Sequence, residues 1–204
     1  MLPLLSDKGA KMTKNSEDRR VKKTRKILQE SLATLLSQND LPTITIRALS
    51  TQADVHRSTF YAHYEDIYAL YHEIEDQVIV DLTTLMTKHA TAELDTYYQL
   101  LFNYVDQNRL FCKMLFSNHA PHSFLERLTE LFQGASLESW AAISSGGTES
   151  LAYLAAYHVQ GCFSMVQKWT ATDFKLPKAE LTEMIAMIDQ QITNVLQNPP
   201  NKIS

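Results

Sequence analysis

The sequence predicts an all-α chain of about nine helices: an N-terminal three-helix head holding a helix-turn-helix, then a C-terminal helical body. Three observations predict it. Apolar residues recur with a period near 3.6 through most of the 204 residues. Gly and Pro number only 5 and 6, so breakers are few. No segment alternates polar and apolar residues, and no Asn-Gly or Asp-Gly pair signals a hairpin.

The elements follow in order. The first helix is expected from about Asp18 to Ser37, with Val21, Leu28, Leu32 and Leu35 on its core stripe. Asn39-Asp40-Leu41-Pro42 ends it. The second begins after Thr45, whose hydroxyl can accept a bond from an orphan amide of the first turn. Its inward residues are Ile46, Leu49 and Ala53. Asp54 takes the turn position that needs positive φ, which Asp tolerates better than most residues. His56 stands at the cap of the third helix, with Phe60 and Tyr64 as its buried edge.

Asp66 can cap a fourth helix running through Ile67, Leu70, Ile74 and Val78 toward His89. Helices five and six are expected over about Glu93–Gln107 and Arg109–Phe116. Ser123 is read as the cap of a seventh, reaching about Trp140. Ser144-Ser145-Gly146-Gly147-Thr148 is the clearest linker. Two helices follow, roughly Glu149–Thr172 and Pro177–Gln197.

The third helix is the informative one. One side is apolar, and the other carries Arg57, Ser58, Thr59, Tyr61 and His63. A short helix that turns only phosphate- and base-seeking groups to solvent suits a DNA surface. Charge agrees. Residues 1–64 hold 11 Lys+Arg against 6 Asp+Glu, and the rest hold 8 against 17, so net charges of +5 and −9 give the chain's −4. A basic head on an acidic body points to polyanion binding by the head alone. Lys11, Lys14, Arg19, Arg20, Lys22, Lys23, Arg25 and Lys26 cluster before and within the first helix.

From Arg19 to Leu70 the chain resembles the DNA-binding domain of TetR/AcrR-type transcription regulators. The resemblance rests on Thr-Ile-Arg-Ala-Leu from Thr45, Ala-Asp-Val from Ala53, and Ser-Thr-Phe-Tyr-x-His-Tyr from Ser58. Two positions depart from the family pattern. Asp54 replaces the turn Gly, and Ile67 replaces a Lys that grips phosphate, so one backbone contact is expected to be lost. Tyr104 to Asn118 and Phe163 to Trp169 resemble, more weakly, the C-terminal domain of a subgroup that includes regulators of dihydroxyacetone kinase operons.

The resemblance implies a DNA-binding domain over 18–65, after a disordered basic extension over 1–17, and a regulatory and dimerisation domain over 66–204. It implies a homodimer, a double-stranded DNA operator, and an unidentified small-molecule effector or protein partner. Base contacts are expected from Arg47, Arg57 and Ser58, and phosphate contacts from Thr45, Thr59, Tyr61 and His63. The last two helices, with Leu151, Leu154, Ala155, Met165, Met184, Ile188, Ile192 and Val195, are the expected dimer surface. An effector pocket is expected among Tyr104, Phe111, Phe124, Tyr157, His158, Cys162 and Trp169.

Other readings are weaker. His158 and Cys162 share a helix face at i, i+4, but no third metal ligand sits at a recognisable spacing. Glu73, Glu75 and Asp76 read as a solvated acidic face, and His119 and His122 as loop residues. No G-x-S-x-G, phosphate-cradling Gly loop or H-E-x-x-H is present, so neither an enzyme nor a cofactor is expected. No apolar run is long enough to span a membrane. The start, acidic and short, does not read as a signal peptide, and Met12 resembles an internal start. Two cysteines without an export signal suggest a reducing cytoplasm. The alternatives are an activator or co-activator whose body binds a protein partner, and, further off, a small helical enzyme or metal module.

Overall fold

A computed structural model describes residues 8–90, 92–144 and 148–197. The described residues form nine α-helices and one short 3-10 turn, with no strand. They are α1 (Lys8–Leu36), α2 (Ile46–Gln52), α3 (Arg57–Tyr61), α4 (Ile67–Lys88), α5 (Leu94–Gln107), α6 (Arg109–Leu115), α7 (Ser123–Ala141), α8 (Thr148–Ala171) and α9 (Lys178–Gln197). The 3-10 turn spans Leu41–Thr43. The chain divides into two compact units, Met1–Ile74 and Glu75–Ser204, and the division falls inside α4.

In the first unit, Leu28, Leu32 and Leu36 of α1 are fully buried with Leu49, Phe60, Leu70 and Tyr71. Each large apolar side chain removed from water contributes roughly 1.5–3 kcal/mol, which is what holds the short α2 and α3 in helical form. Thr45 caps α2, accepting from Ala48 N at 3.1 Å. Asp66 caps α4, accepting from Ala69 N at 2.8 Å. Asp54 has φ 52°, and Val55 N closes the turn onto Ser50 O at 3.0 Å.

In the second unit, α5 packs on α9, and α7 and α6 pack on α8. Phe116 meets Phe124 and Phe163 edge-on, and Trp169 meets Phe102 and Phe174 the same way. Trp140, Leu151, Ala155 and Leu196 form a smaller cluster where α7, α8 and α9 end or begin.

Several expectations are corrected. α1 starts at Lys8, ten residues before Asp18, because no proline follows Pro3 until Pro42. Of the proposed extension, residues 1–7 lie outside the described residues and 8–17 continue α1. The linker at 145–147 also lies outside them. Val21 is exposed and Leu36 is fully buried, so the core stripe of α1 is displaced toward its C-terminal end.

Ser123 does not cap α7. Its hydroxyl donates instead to Glu75 Oε1 at 2.8 Å, a stronger, charge-assisted use. Of the expected acidic face, Asp76 is exposed, but Glu73 and Glu75 are not solvated. Glu75 is fully buried, with Arg127 3.8 Å from Oε2, and Glu73 is held by Arg25, Gln29 and Tyr64. Ile67 is buried and packs in the core, so its position is not a surface site missing a lysine.

Candidate functional site

Two places collect the chemistry. The first is the outer surface of α2 and α3. Arg57, Ser58 and Tyr61 are exposed on α3, and Thr59 and His63 are half-buried. Thr45 and Arg47 are exposed at the start of α2. Arg47 and Arg57 line the same shallow depression, together with Thr51 and His56. The side chains face outward because Phe60 alone anchors α3 in the core, while Tyr61, its ring edge-on to Phe60, is 59% exposed. The Thr45 oxygen is engaged as a cap acceptor, which leaves its hydroxyl hydrogen to donate outward.

A polar network braces this unit. Tyr64 donates to Glu73 Oε1 at 2.9 Å, and Gln29 Nε2 donates to the same oxygen at 2.8 Å. Arg25 pairs with Glu73 Oε2, donates from Nε to the Tyr64 hydroxyl at 3.3 Å, and lies 5.4 Å over the Tyr64 ring. Burial pushes the Tyr64 hydroxyl up to about 12, so it remains a donor.

The second place is a cavity of about 640 Å³ in the body. Val78, Leu82 and Met86 of α4, Leu101 and Phe102 of α5, Phe132 and Trp140 of α7, and Val159 and Phe163 of α8 make it largely apolar. Its volume lies in the range of small-molecule sites. One end is polar. Tyr98 donates to Asp189 Oδ2 at 2.9 Å, and its hydroxyl stands 3.5 Å from His158 Nε2. His158 Nε2 lies 3.5 Å from Asp189 Oδ1. Cys162 Sγ is 3.8 Å from the same nitrogen.

Burial lowers the His158 pKa, against the pull of Asp189, and so favours neutral imidazole. Burial, aided by Asp189, raises the Cys162 thiol to about 12, the opposite of what a nucleophile needs. Burial also raises the Tyr98 hydroxyl, with Asp189 adding to it. Among the described residues, no group of three His, Cys, Asp or Glu side chains is placed to hold a metal ion.

Of the expected pocket residues, Tyr104, His158 and Cys162 line the cavity. Phe111, Phe124, Tyr157 and Trp169 do not. Phe124 and Trp169 are consumed by core packing, and Phe111 is half-buried away from the cavity wall. Tyr157 is 75% exposed, because at one position before His158 it falls on the other side of α8. Sequence reasoning missed Asp189 and Tyr98. Asp189 had a signal: it interrupts the apolar row Ile185, Ile192, Leu196 on α9, where a carboxylate needs a reason.

No helix among the described residues is long and apolar enough to cross a membrane. No curated protein matches the chain. Residues 92–191 match a family described as transcriptional regulator C-terminal region. Among solved structures, a TetR transcriptional regulator from Streptococcus agalactiae 2603V is similar with a TM-score of 0.61 at 20% identity, over 85% of this chain and 97% of that one. The dihydroxyacetone kinase operon activator DhaS is similar with a TM-score of 0.52 at 14% identity, over the same shares. Over residues 92–191 the chain is thus similar to the C-terminal region of transcriptional regulators, and its fold is that of a TetR transcriptional regulator.

Proposed function

We propose that the chain is a homodimeric, sequence-specific DNA-binding repressor that works in the cytoplasm and is released by an effector bound in its body cavity. The observation that carries this reading is the exposed set Arg47, Arg57, Ser58 and Tyr61 on a head with an excess of positive charge. Residues 18–65 act as the DNA-binding domain and 66–204 as the regulatory and dimerisation domain. Arg47, Arg57 and Ser58 reach base edges. Thr45, Thr59, Tyr61 and His63 hold phosphates.

The dimer reading draws on α8 and α9. Of the expected dimer residues, Leu151 and Ala155 are buried within the protomer, whereas Met184, Ile188 and Val195 are exposed, as are Tyr153, Tyr157 and Met187. Met184, Ile188, Gln191 and Val195 follow one another at steps of four, three and four residues, the spacing of a helix-pairing seam. Two such protomers form a four-helix bundle and set two α3 helices on successive major grooves, half-sites about one turn or more apart.

The cavity supports a small-molecule effector over a protein partner. Its free energy of action must come from unequal affinity for the two states of the dimer. The sign of regulation has a second reading, since one relative by fold is named an operon activator. The test is selection of bound duplexes from a random library by the full-length protein. Enrichment of a near-palindromic sequence, and its activity as a site of repression in a reporter, is the expected result. Enrichment of nothing beyond random DNA overturns the DNA reading, and activation of the reporter overturns the repressor reading.

A further inference from the structure

The polar end of the cavity holds a buried carboxyl oxygen without a hydrogen bond. Asp189 is 7% exposed, and its Oδ1 makes no hydrogen bond, although Oδ2 accepts from Tyr98. His158 Nε2 stands 3.5 Å from Oδ1 but belongs to an imidazole that burial keeps neutral at ordinary pH. The second carboxylate on the wall is Glu138, exposed on α7. Among the described residues, no lysine or arginine lines the cavity. A buried carboxylate without a cation is costly, and a partner that also donates a hydrogen bond removes that penalty. Tyr97, Tyr98 and Trp140 line the same cavity, and aromatic rings attract a cation through their faces.

We infer that the cavity selects an apolar molecule carrying one protonated amine, which donates to Asp189 Oδ1 while its hydrocarbon part fills the space beneath Phe102, Phe132 and Phe163. The inference rests on the proposal that this cavity is the effector site, and it names the effector's chemical class. An anion of equal size meets two carboxylates and no cation. A neutral molecule gains the apolar burial, and even an alcohol that donates to Oδ1 brings no positive charge to offset the carboxylate.

The experiment is calorimetric titration of the full-length protein with three probes of one chain length: decylamine (protonated at pH 7.5), decan-1-ol and decanoate. The amine is expected to bind roughly tenfold or more tightly than the alcohol, as a charge-assisted hydrogen bond implies, with decanoate weakest. Asp189→Asn, nearly isosteric, is expected to erase the advantage of the amine over the alcohol and to leave alcohol binding within about twofold. The order of affinities in the unaltered protein stands independent of whether the variant folds, which thermal melting checks. Equal or tighter binding of decanoate or decan-1-ol overturns the inference, as does binding of none of the three, or an amine preference that survives in a folded Asp189→Asn protein. Selective amine binding that leaves operator affinity unchanged upholds the charge selection and overturns the effector switch instead.

Discussion

The Tyr64 hydroxyl sits between opposite charges: it donates to Glu73 Oε1 at 2.9 Å and accepts from Arg25 Nε at 3.3 Å. It thereby ties α1 to the start of α4 around a ring that is itself in the core. Tyr64→Phe keeps the ring and removes both bonds. Because Arg25 and Glu73 are partly solvated and still pair with each other, the loss is expected to be modest, about 1–2 kcal/mol in urea unfolding. An unchanged midpoint shows that water replaces the hydroxyl without penalty.

Asp54 carries the turn between α2 and α3 at φ 52°. Asp54→Gly should be neutral or stabilising by a few tenths of a kcal/mol, since glycine enters that region freely but loses more chain entropy. Asp54→Ala should cost about 1 kcal/mol through left-handed strain. Thermal unfolding of the pair distinguishes the two, and a glycine variant less stable than the alanine variant contradicts the turn geometry.

On the proposed DNA face, Arg47→Ala and Arg57→Ala should each weaken operator binding by about 1–3 kcal/mol while affecting random duplexes less. Tyr61→Phe should weaken operator and random duplexes alike. Fluorescence anisotropy on both duplexes provides the comparison. Equal losses on both for the arginine variants remove their base-reading role.

Ile188 is 43% exposed on α9, between Met184 and Val195 along the proposed seam. Ile188→Asp places an unpaired carboxylate in the dimer interface and should yield monomers with weak operator binding. Sedimentation velocity reads the mass directly. Intact dimers of this variant place the interface elsewhere.

Burial depresses the His158 pKa below its ordinary 6.5. A depressed folded-state pKa means the unfolded chain takes up the proton first as pH falls. The stability that neutral His158 contributes is therefore full above about 6.5 and declines as pH drops below it. Unfolding midpoints between pH 8 and 5, measured against a His158→Gln variant, should keep a constant separation above pH 6.5 that changes as pH falls below it. Parallel profiles remove His158 as the cause.

What was legible in the sequence is what the chain decides locally. Thr45, Asp54 and Asp66 act on backbone groups within five residues of themselves, so cap and turn chemistry revealed them. Phe60 on α3 and Leu32 on α1 were legible from helical period. What was not legible depends on partners brought from afar. Glu73 and Arg25 are 48 positions apart, as are Glu75 and Ser123, and only folding turns an acidic helix face into buried acceptors. The same holds for Ser123, which abandons the cap for a distant carboxylate. The cavity needed knowledge of which aromatics are spent on packing: Phe124 and Trp169 are, while Trp140 is shared between core and cavity wall.

α3 has five residues, and only Phe60 among them is buried. The fold fixes Phe60 and partly Thr59, whereas Arg57, Ser58 and Tyr61 stand exposed. Substitutions there escape the usual penalty for altering a helix this short, because its structure is imposed from beneath. The exposed positions Arg57, Ser58 and Tyr61 can thus be exchanged with little cost to the architecture, so on the proposed DNA face a change of preferred target need not be a change of shape.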